Sequence, residues 1–251
     1  LDLAARLKPR DLARVARPVA RSASEPAALR LRAAVAIRRV SGEPLLPDLF
    51  VAYAVEGQDP ELRRYAVEHL GEMIGEAAIP TLRDAMRGEA DEAWSAAKAA
   101  LSKFGEKAVP VLIEMLEESD ESPDYRGGAA HVLAELKSAK ALDALLGAVR
   151  DPSEYVANAA LNAAIEIGAP DLAARLVPLL KEGSTQDARI AMDFREAPDK
   201  AAVPALLDAM ERSAPDSFPR SAIHDALRAC TGRDCHRQLT RKRCHRGPSR
   251  A

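Results

Sequence analysis

The chain repeats itself, and this repeat constrains its fold more than any other feature. Equivalent positions recur at residues 70, 101, 133, 164, 195 and 227, so the period is 31–32 residues. Each copy holds an apolar segment, usually a glycine, and then a second apolar segment. A unit of this length cannot bury its own apolar face, so neighbouring copies are expected to stack into one continuous core.

Each copy is predicted to contain two short helices. Apolar side chains recur at helical spacing, as at Ala66 and Leu70 in one segment and at Leu82 and Met86 in the next. A glycine in the left-handed conformation is expected to end the first helix. These glycines are Gly75, Gly105 and Gly168. A proline, which lacks an N–H, is expected in the first turn of the second helix. These prolines are Pro80, Pro110 and Pro204.

Further prolines extend the pattern. Asp59-Pro60 and Asp151-Pro152 are predicted to start first helices, with Asp as the N-cap and Pro at the first helical position. Pro47 lies about one period before Pro80, and one more step places Pro18 in the same role. The chain is therefore expected to hold about eight units, of which the first and the last are incomplete.

The composition suits close-packed helices. Hydrophobic residues make up 47% of the chain, yet only four Phe, four Tyr and one Trp are present. Alanine stripes such as Ala96-Ala97-Ala99-Ala100 and Ala159-Ala160-Ala163-Ala164 let helices approach closely. We therefore predict an all-α fold, an α-solenoid over residues 1–229. Replacing the buried Leu112 by Ala should cost roughly 2–5 kcal/mol and open the array locally.

The repeated motif resembles that of a known family. The pattern (Val/Leu)-Arg-x-x-Ala-Ala-x-x-Leu-x-x-(Ile/Phe)-Gly, followed by Ala-Val-Pro-x-Leu, is similar to the HEAT-like repeats of phycobilisome (bilin) lyases. The resemblance covers about residues 25–232 and is clearest at 62–118. It implies an armadillo/HEAT-type superhelix whose second helices line the concave face. Such repeats occur in scaffolds, regulatory subunits, chromophore lyases and a few enzymes, so the resemblance specifies fold better than activity.

Acidic residues recur on the second helices and are the candidate partner-binding residues. Asp84, Glu114 and Asp208 share one register, and Glu117 and Glu118 follow Glu114. One interpretation is a negatively charged surface that orients a basic protein partner. The other, which we favour somewhat, is a solvated face that keeps the protein in solution. Neither interpretation makes these carboxylates catalytic.

The charge distribution disfavours nucleic acid as a partner. The formal net charge of −2 is the sum of +7 over residues 1–40, −16 over 41–227 and +7 over 228–251. The acidic body would repel phosphate. It therefore argues against similarity to HEAT-like DNA glycosylases, in which Trp94 and Tyr125 would line a basic groove. These two side chains are expected to pack between repeats instead. No apolar run approaches 20 residues, which argues against a membrane span.

Two enzyme families with related repeats would each require features beyond the repeat itself. Deoxyhypusine hydroxylase binds iron through His-Glu dipeptides, whereas this chain has Glu68-His69, His131-Val132 and His224-Asp225. We therefore predict no metal site there, and we expect His69 to be a partly buried core residue. A bilin lyase would need a chromophore and a partner subunit, and only the shared repeat supports that function.

Residues 230–251 differ in composition from the rest of the chain. Cysteine and histidine residues and basic side chains cluster in the predicted tail, 230–251. The soft ligands among them are Cys230, Cys235, His236, Cys244 and His245. Their spacing matches no common zinc module, and Arg241-Lys242-Arg243 lacks nearby aromatics, so we predict a disordered or non-native tail. Metal binding and contact with an anionic partner stay open as alternatives.

These observations favour a non-enzymatic scaffold or adaptor that binds a protein partner, without a cofactor. The alternative is a bilin-lyase-like or other protein-maturation subunit, which tetrapyrrole binding would distinguish. The long cysteine-free stretch before Cys230 slightly favours the cytoplasm but also fits a secreted protein.

Overall fold

The computed structural model describes residues 9–87, 91–180, 185–196, 198–214 and 216–232. Across these ranges the chain forms α-helices and short 3-10 turns, and no β-strand. The helices are α1 (Pro9–Arg21), α2 (Ala27–Ser41), α3 (Pro47–Glu56), α4 (Pro60–Ile74), α5 (Ile79–Ala85), α6 (Glu92–Lys103), α7 (Val109–Glu117), α8 (Pro123–Leu136), α9 (Leu142–Ala148), α10 (Glu154–Ile167), α11 (Leu172–Leu176), α12 (Thr185–Glu196), α13 (Val203–Arg212) and α14 (Phe218–Thr231). Among the described helices, none has the length and apolar character that a membrane crossing requires.

The chain forms two compact units, Leu1–Ala141 and Leu142–Ala251. In the first unit, α2, α4, α6 and α8 are first helices, and α2 packs against α4, α4 against α6, and α6 against α8. The second helices α3, α5 and α7 also pack against one another in that order. Each repeat thus adds one helix to each of two layers, which confirms the predicted α-solenoid of two-helix repeats.

The second unit continues the alternation. Its first helices are α10, α12 and α14, and its second helices are α9, α11 and α13. Helix α10 packs against α9, while α14 packs against both α12 and α13. The last helix extends to Thr231 and includes the buried Cys230. The first two residues of the predicted tail therefore belong to α14, and residues 233–251 lie outside the described ranges.

The predicted helix boundaries at glycine and proline are confirmed. Gly75, Gly105 and Gly168 have φ values of 63°, 59° and 66°. Because a side chain strains the backbone at these angles, glycine is the residue that permits the turn into the second helix. Pro80, Pro110 and Pro204 each lie in the first turn of a second helix.

The Asp-Pro prediction is confirmed at one place and wrong at the other. Asp59 caps α4, because its carboxylate accepts hydrogen bonds from the backbone N–H groups of Glu61 (3.0 Å) and Leu62 (3.2 Å). In contrast, α10 begins only at Glu154, and Asp151 accepts a hydrogen bond from the Ser153 N–H at 2.8 Å in the preceding turn. Asp151 lies two residues further from its anchor position than Asp59 does, so the helix starts later.

The role assigned to Pro18 is also wrong. Pro18 lies inside α1, which begins at Pro9. The spacing between the first two copies therefore departs from the later period.

The core consists of small and aliphatic side chains. Leu70, Leu101 and Leu133 are fully buried at the anchor positions, and the alanine stripes contribute Ala97 and Ala160 to the same core. Not every stripe residue is buried, since Ala99 is exposed. This density of small side chains is what allows few aromatic residues to suffice.

One aromatic side chain packs against backbone without an intervening side chain. A Cβ atom added at Gly128 in α8 would lie 2.6 Å from Trp94 Cζ2 and 2.9 Å from Met86 Cε. Trp94 belongs to α6 of the preceding repeat, so Gly128 makes room for a contact between repeats. This packing accords with the sequence-based expectation that Trp94 lies between repeats.

Arginine side chains also join helix ends. Arg63 donates to the carbonyl oxygens of Ala54 (3.3 Å) and Ala85 (3.1 Å), and its Nη1 lies 2.7 Å from Asp91 Oδ2. These contacts satisfy carbonyl groups that the ends of α3 and α5 leave unpaired. Arg30 similarly donates to Ala20 O.

We predict that Gly128→Ala destabilises the protein, because the added methyl group overlaps the Trp94 ring and must displace it. The expected loss is about 1–3 kcal/mol of unfolding free energy, measured by urea titration. Gly147→Ala in α9 is the matched control, since a Cβ there meets no atom within 4 Å. That control should be neutral or stabilising by up to about 1 kcal/mol. Equal effects at both positions would contradict the packing described for Trp94.

Candidate functional site

The predicted acidic positions lie where the repeat places them. Asp84 in α5 and Glu114 in α7 each follow the helix-starting proline by one helical turn. Since α5 and α7 pack side by side, these carboxylates belong to neighbouring second helices. The Glu114 side chain is 62% exposed and that of Asp84 is 41% exposed.

Glu117 and Glu118 end the same helix but differ in their surroundings. Glu117 is exposed at the last residue of α7. Glu118 is half-buried, and its Oε1 lies 3.5 Å from the hydroxyl oxygen of Tyr125. The structure therefore brings Asp84, Glu114, Glu117 and Glu118 to one side of the first unit.

Asp208 occupies the corresponding position of α13 in the second unit. Its side chain is exposed and forms an ion pair with Arg212, one helical turn later. Arg212 also donates to Leu180 O at 2.9 Å, so the arginine links two repeats of this unit.

Two arginines near the acidic residues were missed by the sequence analysis. Arg87 Nη2 lies 2.7 Å from Glu118 Oε2, and Arg87 Nη1 lies 3.1 Å from Glu121 Oε1. The guanidinium group also lies over the Tyr125 ring, 5.5 Å from its centroid, in cation-π geometry. Arg83 makes the looser contact, with 3.9 Å between Nη1 and Glu114 Oε2.

The signal for these pairs is present in the sequence. Arg83 and Glu114 are separated by 31 residues, and so are Arg87 and Glu118, which is the period of the repeat. Opposite charges one period apart fall on adjacent helices of the same layer. A search for such charge pairs would have found both.

Opposite charges about one period apart also form ion pairs between other repeats, on other surfaces. The pairs, each separated by 31–34 residues, are Arg39 with Glu72, Lys107 with Glu76, Lys140 with Glu106, and Arg175 with Asp143. Arg39 lowers the pKa of the Glu72 carboxyl group mainly through its hydrogen bonds of 3.0 and 3.2 Å. Ion pairing between repeats is thus a general feature of the stack.

These pairs reduce but do not cancel the negative charge near α7. The connection from α7 to α8 adds Asp120, Glu121 and Asp124 to the acidic side chains of α5 and α7. Arg83 and Arg87 contact carboxylates of this cluster, and Arg126 Nε donates to the backbone carbonyl oxygen of Glu121 at 3.3 Å. We call the exposed side of α3, α5 and α7 the second-helix surface, and its α5–α7 end carries excess negative charge.

The remaining site candidates take structural positions. His69 is largely buried, with its ring edge against Tyr65 at 4.4 Å between centroids and its Nδ1 3.5 Å from Glu72 Oε1. It is a partly buried core residue, as predicted. Cys230 is a buried residue of α14. Its Sγ lies 3.8 Å from Phe194 O, and burial raises the pKa of the thiol. The other tail ligands named above lie outside the described residues, and within the described ranges no group of three or more His, Cys, Asp and Glu side chains could hold a metal ion.

An open groove lies between the first helices α4 and α6. Ion-paired side chains line it, since Arg64 Nε lies 3.2 Å from Glu92 Oε2 and Arg64 Nη1 lies 2.5 Å from Glu68 Oε1. Asp91, Ser95 and Ala96 complete the lining. The groove is shallow and its charged groups contact one another.

Comparison with known proteins identifies the repeat. The family model for HEAT repeats matches residues 47–121 and again residues 109–193. Together these matches cover more than half of the chain. No curated protein shows significant similarity to it.

We predict that the Arg87 and Glu118 side chains are energetically coupled. A double-mutant cycle with Arg87→Ala and Glu118→Ala should give a coupling of about 0.2–1 kcal/mol at low salt, because both groups are partly exposed. The Arg83–Glu114 cycle is the matched comparison and should give less, since its atoms are 3.9 Å apart. Urea titration of the four variants in each cycle measures both, and a larger coupling for Arg83 would contradict the geometry.

Stability should also depend on pH through Glu72. Its folded-state pKa lies below the usual value, so the stabilisation is present above the unfolded-state pKa of about 4.3 and is lost as the pH falls through the folded-state pKa. Wild type should therefore exceed Glu72→Gln in unfolding free energy at neutral pH, and the difference should shrink below about pH 4. A constant difference at Glu72 would contradict the ion pair.

Proposed function

This chain belongs to the HEAT-repeat family, and we propose that it is a non-enzymatic scaffold whose second-helix surface binds a protein partner with basic side chains. The observation that carries the proposal is the alignment of exposed carboxylates on adjacent second helices. Glu114 and Glu117 are exposed on α7, and Asp84 is half-exposed on α5 beside it. HEAT repeats provide an extended surface of this kind, which suits protein interaction better than enclosed chemistry.

The spacing of the helices suits an extended partner. Packed helices lie about 8–10 Å apart, so a partner that crosses α5 and α7 would meet a carboxylate at each step. Each exposed ion pair contributes about 1 kcal/mol or less. Useful affinity would then require several contacts along the surface, and the binding should weaken as the salt concentration rises.

The arginines support this function by fixing the carboxylates in place. Arg87 holds Glu118, and Arg83 lies near Glu114, so these acidic side chains lose less freedom when a partner binds. Glu117 points outward at the end of α7 and is left for the partner. In the second unit, the exposed Asp208 would offer a separate acidic contact.

Site-specific photo-crosslinking tests the proposal. A benzophenone amino acid at Glu117 should crosslink a partner protein in cells of the source organism, whereas one at the exposed Ala99 of the first helix α6 should not. Adding Asp84→Lys and Glu114→Lys should reduce the Glu117 crosslink at least about tenfold, because two attractive contacts become repulsive. Mass spectrometry identifies the partner and the crosslinked residue.

Two results would contradict the proposal. One is equal crosslinking from Glu117 and Ala99. The other is a Glu117 crosslink that survives the two charge reversals unchanged while circular dichroism shows that the variant is folded.

A further inference from the structure

The first helix carries charge of the opposite sign to α7. Helix α1 packs against α2 through the buried Ala16 and Ala20. Its opposite side exposes Arg14, whose side chain is 81% exposed, and Arg21, which is 63% exposed. Asp11 approaches Arg14 only to 3.9 Å, so this arginine is weakly paired.

Helix α1 adjoins the second-helix surface. Arg17 Nη2 lies 2.6 Å from Glu43 Oε2, and Leu45 and Leu46 pack against the core shared by α1 and α2. Glu43, Leu45 and Leu46 belong to the segment that leads directly into α3. Because α1 contacts the first helix α2 through its buried side, its exposed arginines lie on the side of α1 away from α2.

The surface therefore changes character along the stack. Helix α1 is basic at Arg14 and Arg21, and α7 is acidic at Glu114 and Glu117. Between them, α3 exposes Ala52 and Val55 beside the exposed carboxylates of Asp48 and Glu56, and the Val55 side chain is 43% exposed. Val15 on α1 is 55% exposed and adds to the apolar part.

A surface that is basic at one end and acidic at the other is complementary to itself. If two copies face each other and one is turned by half a rotation, α1 of each copy meets α7 of the other. Two-fold symmetry requires this reciprocity, in which one patch serves as both halves of the contact. Helix α3 of each copy would then meet α5 of the other beside the symmetry axis, and the charged pairs of α1 with α7 would lie at both rims, where polar contacts are usual in a protein interface.

We infer that the chain forms an antiparallel homodimer through the exposed side of α1, α3, α5 and α7. Arg14 and Arg21 of each copy pair with Glu114 and Glu117 of its partner. The inference goes beyond the proposed scaffold function because it names a second copy as an occupant of the same surface. Dimerisation and binding of a basic partner would then compete.

The dimer should be weak. The contact is confined to four helices of 7 to 13 residues, so it is expected to bury less than the roughly 800 Å² per partner of stable complexes. The charged pairs are exposed and screened by salt. A monomer–dimer equilibrium in the micromolar to submillimolar range is therefore expected.

The test measures purified full-length chain by sedimentation equilibrium from about 1 µM to about 500 µM. Wild type should dimerise at about 20 mM salt and dissociate at about 500 mM salt. Arg14→Glu/Arg21→Glu and, separately, Glu114→Lys/Glu117→Lys should each be monomeric, because every rim contact becomes repulsive. The control Lys103→Glu/Arg228→Glu changes the charge equally at exposed first-helix positions and should dimerise like wild type.

Mixing the two monomeric variants gives the decisive result. Their reversed charges match each other, so an equimolar mixture should form a heterodimer although neither variant associates alone. A monomeric wild type at low salt would overturn the proposal, as would a mixture that stays monomeric while circular dichroism shows both variants folded. The crosslinking result at Glu117 with a foreign partner is independent of these measurements, so failure of the dimer leaves the scaffold proposal standing.

Discussion

Burial of small apolar faces between successive repeats is the interaction on which the rest of the structure depends. A helical pair of about 31 residues has too little internal core to fold alone, so each pair is stabilised by its neighbours. The close approach at Gly128 shows how tight this contact is, since the Trp94 ring occupies the place of a side chain. Alanine and glycine at such positions are therefore requirements of the stack, and they account for the scarcity of aromatic residues.

Stacking also determines where the charges meet. Residues one period apart fall on adjacent helices of the same layer, so an arginine and a carboxylate at that spacing form an ion pair without any further folding. Arg87 with Glu118 and Arg39 with Glu72 both follow from this geometry. The acidic surface is consequently built of side chains that are partly held by the preceding repeat. In the proposed function, binding of a basic partner would depend on the side chains that are exposed, above all Glu117.

Much of this fold was predictable because glycine and proline act locally. The positive φ at Gly75 and the start of α5 at Ile79-Pro80 depend on backbone sterics, which the sequence alone reveals. Asp151 was misassigned because capping depends on the register of the helix, and two additional residues moved the start to Glu154. Arg87 was missed because its partners lie in the next repeat, and their significance emerges only when the repeats are stacked. The burial of Cys230 depends similarly on the packing of α14.

The central claim is that each repeat is stabilised by its immediate neighbours. Hydrogen–deuterium exchange of Leu112→Ala measures this directly, because Leu112 is fully buried in α7. Exchange should accelerate in α5, α7 and α8, which contact the altered repeat, while the amides of α2 keep their wild-type protection. An equal acceleration in every helix of the first unit, or a change confined to α7 alone, would contradict the account.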